Sequence, residues 1–269
     1  MIGDPGLGVN VPAKKKWTTR LAAVAVGLIC LALSAPGNAA PVASRSVTFP
    51  GDGETVRGVL FQPQGNGPFP AIIVIHEWWG LNGWVKDQAQ RFAEQGYVTL
   101  AVDLYRGHVA ADPEEAHELM RALPQDRGLM YLQSALAYLK AQKSVDPNRI
   151  GAVGWCMGGS FAVQFAIAAP SLRAVAINYG APDTDLTQLR KIHAAILGNY
   201  GAEDRGITPE DVATFAANMR KIGHPIDVKE YPDAGHAFQN PNNRNGYRPD
   251  DTADADRRMD SFFARYLKQ

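Results

Sequence analysis

From residue 71 to the C-terminus, short apolar runs alternate with helical patterns, and few architectures accept that alternation. Ala71-Ile72-Ile73-Val74-Ile75 contains no polar position. A run of this kind suits a strand covered on both faces. Further strands are expected over residues 97–102, 149–153, 174–179, 194–200 and 226–231. Helical patterns cover 83–95, 129–143, 158–168, 209–222 and 252–268, and Asp112-Pro113 opens one more, with Asp as cap and Pro in the first turn. Two strands at 46–49 and 56–62, joined through Gly51-Asp52-Gly53, form an antiparallel lead-in. The expectation is an α/β fold with a mostly parallel central sheet and helices on both faces. Ligand sites in such sheets lie beyond the carboxyl ends of the strands, so chemistry should fall in the loops that follow strands.

One such loop holds Gly154-Trp155-Cys156-Met157-Gly158-Gly159. The frame is that of a nucleophile on a tight strand-to-helix turn, with Cys in the position more often held by Ser. Small neighbours suit it because strand and helix approach closely there. The helix N-terminus places partial positive charge beside the sulfur, which favours thiolate. The base should be a histidine in a later loop. His236, in Asp233-Ala234-Gly235-His236, follows the strand ending at 231. His193 and His224 fall at the opposite end of the sheet, and His108 and His117 precede the nucleophile. The orienting acid should lie between nucleophile and base. Asp204 is the first choice, with Glu203 and Asp233 as rivals. The order Cys156, Asp204, His236 is nucleophile, acid, base as this architecture carries them. After the strand 71–75 comes His76-Glu77-Trp78-Trp79-Gly80. Backbone N–H groups of Trp78 and Met157 are the candidates for an oxyanion hole.

Over nearly the whole chain from about residue 47, the sequence resembles the dienelactone hydrolase, or carboxymethylenebutenolidase, family. The matching pieces are His76-Glu77-Trp78-Trp79-Gly80, Asp103-Leu104-Tyr105, Gly154 to Gly159, Gly201-Ala202-Glu203-Asp204 and Gly235-His236-Ala237-Phe238. The resemblance implies an α/β-hydrolase fold, a Cys156–Asp204–His236 triad, and hydrolysis of a small ester or lactone through a thioester. It also implies a role for Glu77, which would hold the resting thiol neutral until substrate moves it. Family members that act on dienelactone carry two arginines for its carboxylate. Gly107 and Asn240 stand at those positions here, and Arg106, Trp79 and Arg244 are taken as the substrate contacts instead. The other readings of the same features are a non-catalytic small-ligand-binding module on this fold, or a hydrolase of thioesters or peptides.

The N-terminus reads as a separate segment. Lys14-Lys15-Lys16 and Arg20 precede an apolar stretch at 21–35 and then Gly37-Asn38-Ala39. This is the layout of a secretory signal peptide, with cleavage expected after Ala39 and a single domain over 40–269. The apolar stretch is shorter than the ~20 residues that span a bilayer. The alternative is a membrane anchor formed by an uncleaved 21–36, and without it no stable membrane association is expected. Cleavage removes Cys30 and leaves Cys156 without an intramolecular partner. Composition limits the partners. Lys plus Arg and Asp plus Glu both total 27, so no basic excess points to nucleic acid. The histidines are scattered and no cysteine cluster exists, so no metal is expected. No phosphate-cradling loop points to a cofactor. The expected partner is a small ester or lactone, and nothing fixes an oligomeric state.

Overall fold

The structure is a computed structural model of the 269-residue chain, and it describes residues 1–3 and 42–269. The expected leader and its cleavage site lie outside the described residues. Eight strands form one sheet in the order β1-β2-β4-β3-β5-β6-β7-β8. Strands β1 (Val42–Pro50) and β2 (Thr55–Pro63) make the antiparallel lead-in, and β2 also pairs antiparallel with β4 (Val98–Asp103). The rest, β3 (Phe69–Ile75), β5 (Val145–Trp155), β6 (Ala174–Asn178), β7 (Ala195–Gly201) and β8 (Ile226–Tyr231), run parallel to β4. This is the mostly parallel sheet that the alternating pattern predicts, and it agrees with the α/β-hydrolase fold that the resemblance implies.

Residues 71–75 are completely buried, and their alternation assigns the two cores. Ile72 and Val74 pack with α1 (Gly83–Glu94) and α7 (Pro249–Leu267). Ala71, Ile73 and Ile75 pack with α3 (Gln125–Lys140), α4 (Met157–Ala168) and α6 (Pro209–Lys221). Helix α2 (Pro113–Arg121) lies outside these layers, with Ala116 as its one buried residue. It starts as expected, with Asp112 Oδ1 accepting from the Glu115 amide at 2.9 Å. Helix α3 begins four residues before the expected 129, since its first turn carries no apolar face and Pro124 caps it without a side-chain bond. Helix α7 likewise begins at Pro249 rather than 252, and the short α5 (Leu186–Leu189) has no counterpart in the sequence reading.

Because β3, β5, β6, β7 and β8 run the same way, their carboxyl ends share one edge of the sheet. A buried amide network ties these ends together. Trp155 Nε1 donates to Gln239 Oε1 at 2.9 Å, and Gln239 Nε2 donates to Asn178 Oδ1 at 2.9 Å. Asn199 Nδ2 donates to the same Asn178 oxygen at 2.9 Å, and Arg258 donates to Asn199 Oδ1. The network therefore links β5, β6, β7, α7 and the loop after β8. Removing one buried member strands its partner's polar atom without water. Gln239→Leu, which leaves the Trp155 N–H unpaired, is expected to cost about 1–3 kcal/mol in urea unfolding. Combining it with Trp155→Phe should cost less than the sum of the two single changes. Strict additivity would show that this bond is not what couples the two segments.

Candidate active site

Cys156 occupies the turn between β5 and α4 with φ 54° and ψ −120°. A residue with a Cβ adopts positive φ only where its surroundings hold it there. Here its amide donates to the Asn178 carbonyl at 3.0 Å, and its carbonyl accepts from the Ser160 amide at 3.1 Å. The turn is tight enough to need glycine around it. A Cβ on Gly154 would stand 2.0 Å from the Gly158 carbonyl oxygen, and one on Gly158 would stand 2.4 Å from that of Ile75. Ser160 lies one helical turn on, where its hydroxyl accepts from the Ala181 amide at 2.8 Å.

The loop after β8 brings His236 to the sulfur, with Nε2 3.1 Å from Cys156 Sγ. The other ring nitrogen, Nδ1, donates to Asp204 Oδ2 at 2.6 Å. Asp204 follows β7 and is buried. Its Oδ1 accepts from the Gly206 and Ile207 amides at 2.9 and 3.1 Å. The rival acids Glu203 and Asp233 are exposed instead. Burial alone would raise the Asp204 pKa, but the His236 hydrogen bond and charge, with those two amides, hold it below the ordinary value. Burial pushes His236 down, yet the hydrogen bonds and charges of Asp204 and Cys156 outweigh it and raise the imidazole to about 10. The arrangement can therefore hold a protonated imidazole between carboxylate and sulfur.

Glu77 follows β3 and is 1% exposed. It makes no hydrogen bond to the thiol here. Its Oε2 accepts from Asn240 Nδ2 at 2.6 Å, and its Oε1 accepts from the Tyr179 hydroxyl at 3.4 Å. Burial raises its pKa to about 7, against the lowering effect of Asn240, the His236 charge and Tyr179. The neighbouring His76 is also buried, which lowers it to about 4 and keeps it neutral. Its Nε2 accepts from the Leu104 amide at 3.1 Å, so Nδ1 carries the proton and donates to the Glu77 carbonyl at 2.6 Å. One imidazole thus clasps the loops after β3 and β4.

Two cavities adjoin Cys156. Glu77, Trp78, Trp79 and Arg244 line the first, and Met157 lines the second. Met157 is the first residue of α4, where the backbone N–H has no partner within the helix. The Trp78 amide makes no backbone hydrogen bond among the described residues. Arg106 departs from expectation. It lines neither cavity, because its Nε donates to the Tyr131 hydroxyl at 2.9 Å and its guanidinium pairs with Glu54. Arg106 has φ 56°, a turn conformation that spacing along the chain does not reveal. Sequence reasoning also missed Met120, which lines both cavities, and Tyr179 beside Glu77. It passed over His117, whose ring packs edge-on against Trp78 at 4.7 Å. The buried partner Asn240 was visible only as the absence of an arginine.

Residues 56–267 match the model of the Dienelactone hydrolase family. Protein usf of Aquifex pyrophilus is 31% identical over 228 residues, which cover 82% of this chain and 98% of that one. A protein of Aquifex aeolicus named "Putative carboxymethylenebutenolidase" is 29% identical over 229 residues, with the same coverage of 82% and 98%. Among solved structures, one described as m3DLH superposes with a TM-score of 0.77 at 27% identity, over 84% of this chain and 99% of that one. With its fold, its turn at Cys156 and a family match across most of its length, this chain belongs to the dienelactone hydrolase family.

Proposed function

We propose that the protein hydrolyses small esters or lactones by nucleophilic attack of Cys156, and that it works as an exported enzyme. The chain is a hydrolase of the lactone or ester type by its family. The observation that carries the finer reading is the continuous contact from Cys156 Sγ through His236 to Asp204, at 3.1 and 2.6 Å. Sγ adds to the carbonyl carbon, and the oxyanion forms beside the backbone amides of Trp78 and Met157. The His236 imidazolium then gives its Nε2 proton to the leaving oxygen, the C–O bond breaks, and a thioester remains. Water attacks that thioester with His236 as base. The acid product leaves, and the thiolate–imidazolium pair is restored. Asp204 holds the tautomer and the charge of His236 throughout.

Glu77 is given the gating role. Its carboxyl lies beside the same cavity as the thiol, and a group brought to about 7 exchanges its proton near neutral pH. In the arrangement described, it rests on Asn240 and Tyr179 while His236 holds the sulfur. Turned from Asn240 and Tyr179 toward the sulfur, it would hold Cys156 neutral between turnovers, and substrate entering the cavity would send it back and leave the thiolate–imidazolium pair. Such protection suits an unpaired thiol in the oxidising compartment reached by a chain cleaved after Ala39.

Cys156→Ala is expected to lower kcat at least about 10³-fold toward a short activated ester, and iodoacetamide should abolish the parent activity. Full turnover by Cys156→Ala would remove the nucleophile assignment. The wild-type rate should decline as pH rises toward 10, where His236 loses its proton. Asp204→Asn should bring that decline toward neutral and cut kcat about 10²-fold or more. An alkaline limb that stays in place would disconnect Asp204 from the imidazole. Glu77 binds its proton more tightly folded than unfolded. Glu77 alone should therefore tilt stability downward between pH 4.5 and about 7, by on the order of 3 kcal/mol, while buried His76 tilts it upward from about 4 to 6.5 and His236 tilts it downward from 6.5 to about 10. Glu77→Gln should remove the downward component between pH 4.5 and about 7, read as the difference from wild type in urea unfolding at each pH, and should speed iodoacetamide alkylation of Cys156 in the absence of substrate. Unchanged alkylation would reject the gate.

A further inference from the structure

The two cavities beside the sulfur are large and mainly apolar, and they differ in the polar groups they carry. The first measures about 710 Å³ and carries the indoles of Trp78 and Trp79, with Asn242 and Arg244 at its rim. The second measures about 480 Å³ and is walled by Leu123, Met157, Phe161, Pro182 and Ile207. Cys156, His236 and Met120 line both. The strand order β3-β5-β6-β7 sets Trp78 and Trp79, after β3, on one side of the Cys156 turn, and Pro182 and Ile207, after β6 and β7, on the other, so a carbonyl held at Sγ lies where the two cavities meet, beside Met120 of α2. Each cavity alone falls in the ~300–1,000 Å³ range that takes a whole drug-sized ligand. A compact single-ring lactone would fill part of one and leave the other wet.

The second cavity is lined by seven apolar side chains together with Gln125, Ser160, Gln164, Tyr179 and the Cys156–His236 pair. No Asp, Glu, Lys or Arg side chain lines it. Of its polar groups, the Ser160 hydroxyl already accepts from the Ala181 amide, and the Gln164 amide donates to Asp183 at 3.4 Å. The Phe161 ring is fixed from behind by α3, where a Cβ on Gly128 would come within 2.5 Å of it. A rigid apolar wall gains free energy from each methylene it removes from water. The first cavity offers indole faces, amides and one guanidinium, which suit a planar or acceptor-bearing group.

We infer that the protein prefers open-chain esters over small lactones, taking an apolar arm of about four to six carbons between Phe161 and Ile207 and a polar, acceptor-bearing arm against Trp78, Trp79 and Arg244. This rests on the reading of Cys156 as the nucleophile. An open-chain ester places its two arms on opposite sides of the carbonyl, as the cavities require. In a small lactone the two arms are joined in one ring and cannot part around Met120.

The test uses the full chain and two matched ester series. In one, the acyl chain grows from two to six carbons on a fixed glycol alcohol. In the other, the alcohol chain grows over the same range on a fixed methoxyacetyl group. γ-Butyrolactone is the cyclic comparison. The expected result is a rise in kcat/KM of about tenfold or more with chain length in at least one series, ending above the lactone. Ala181→Phe, at the exposed rim of the apolar cavity, should lower the six-to-two-carbon ratio about tenfold. Met120→Ala, which enlarges both cavities where they meet, should move the optimum to longer chains. The two variants act at separate places, so a folding failure in one leaves the other to decide. Flat profiles in both series, or a lactone rate above every ester, would overturn this inference and leave the nucleophile reading standing. No hydrolysis of any ester or lactone by the parent protein would overturn both.

Discussion

Backbone touching backbone at the Cys156 turn is the constraint on which the rest of the site depends. Helix α4 starts so close to the sheet that side chains are excluded on several sides. A Cβ on Gly159 would lie 2.9 Å from the Asn178 carbonyl oxygen, and one on Gly180 would lie 2.2 Å from the Gly159 carbonyl carbon. These approaches lock α4 against β3 and β6, and they force Cys156 into its positive φ. The strain raises the sulfur clear of the sheet and aims the first amides of α4 alongside it. Any side chain added here would move the Cys156 sulfur itself.

The remaining members are placed by polar side chains buried among strand ends. Gln239, three residues past His236, is bonded on one side to Trp155 and on the other to Asn178. Trp155 precedes Cys156 directly, and Asn178 also receives the Cys156 amide on its carbonyl. The His236 loop and the Cys156 turn are thus anchored to the same few atoms, which sets the reach from imidazole to sulfur. His76 does similar work on the other side of the site, spanning the loops after β3 and β4 as a neutral ring. In a low-dielectric setting each of these bonds is stronger than it would be in water, and costlier to break.

Much of this was legible in the sequence, because strand ends in a parallel sheet share one edge. Cys156, Asp204 and His236 each follow a strand, and the structure brings the three into contact at that edge. The failures have a common cause. Arg106 sits next to a family motif, but its direction depends on one backbone angle and on Tyr131 and Glu54, residues distant in sequence. The pairing of Asn240 with Glu77 spans 163 positions, and amide side chains carry no periodic signature. The start of α3 was missed because apolar spacing begins at 129, one turn after the backbone is already helical. Local pattern finds elements and their ends. It does not report which buried polar groups will meet.

Helix α2 has a consequence of its own. It contributes Met120 to the wall between the two cavities, yet it buries only Ala116. Elements with so little apolar anchorage open at low free energy, well below global unfolding. The divider of the site is therefore carried by one of the least anchored helices of the molecule. The dimensions of both cavities depend on how firmly that helix stays seated. Warming the protein should broaden the range of molecules it admits before it disturbs the rigid turn on which the sulfur stands.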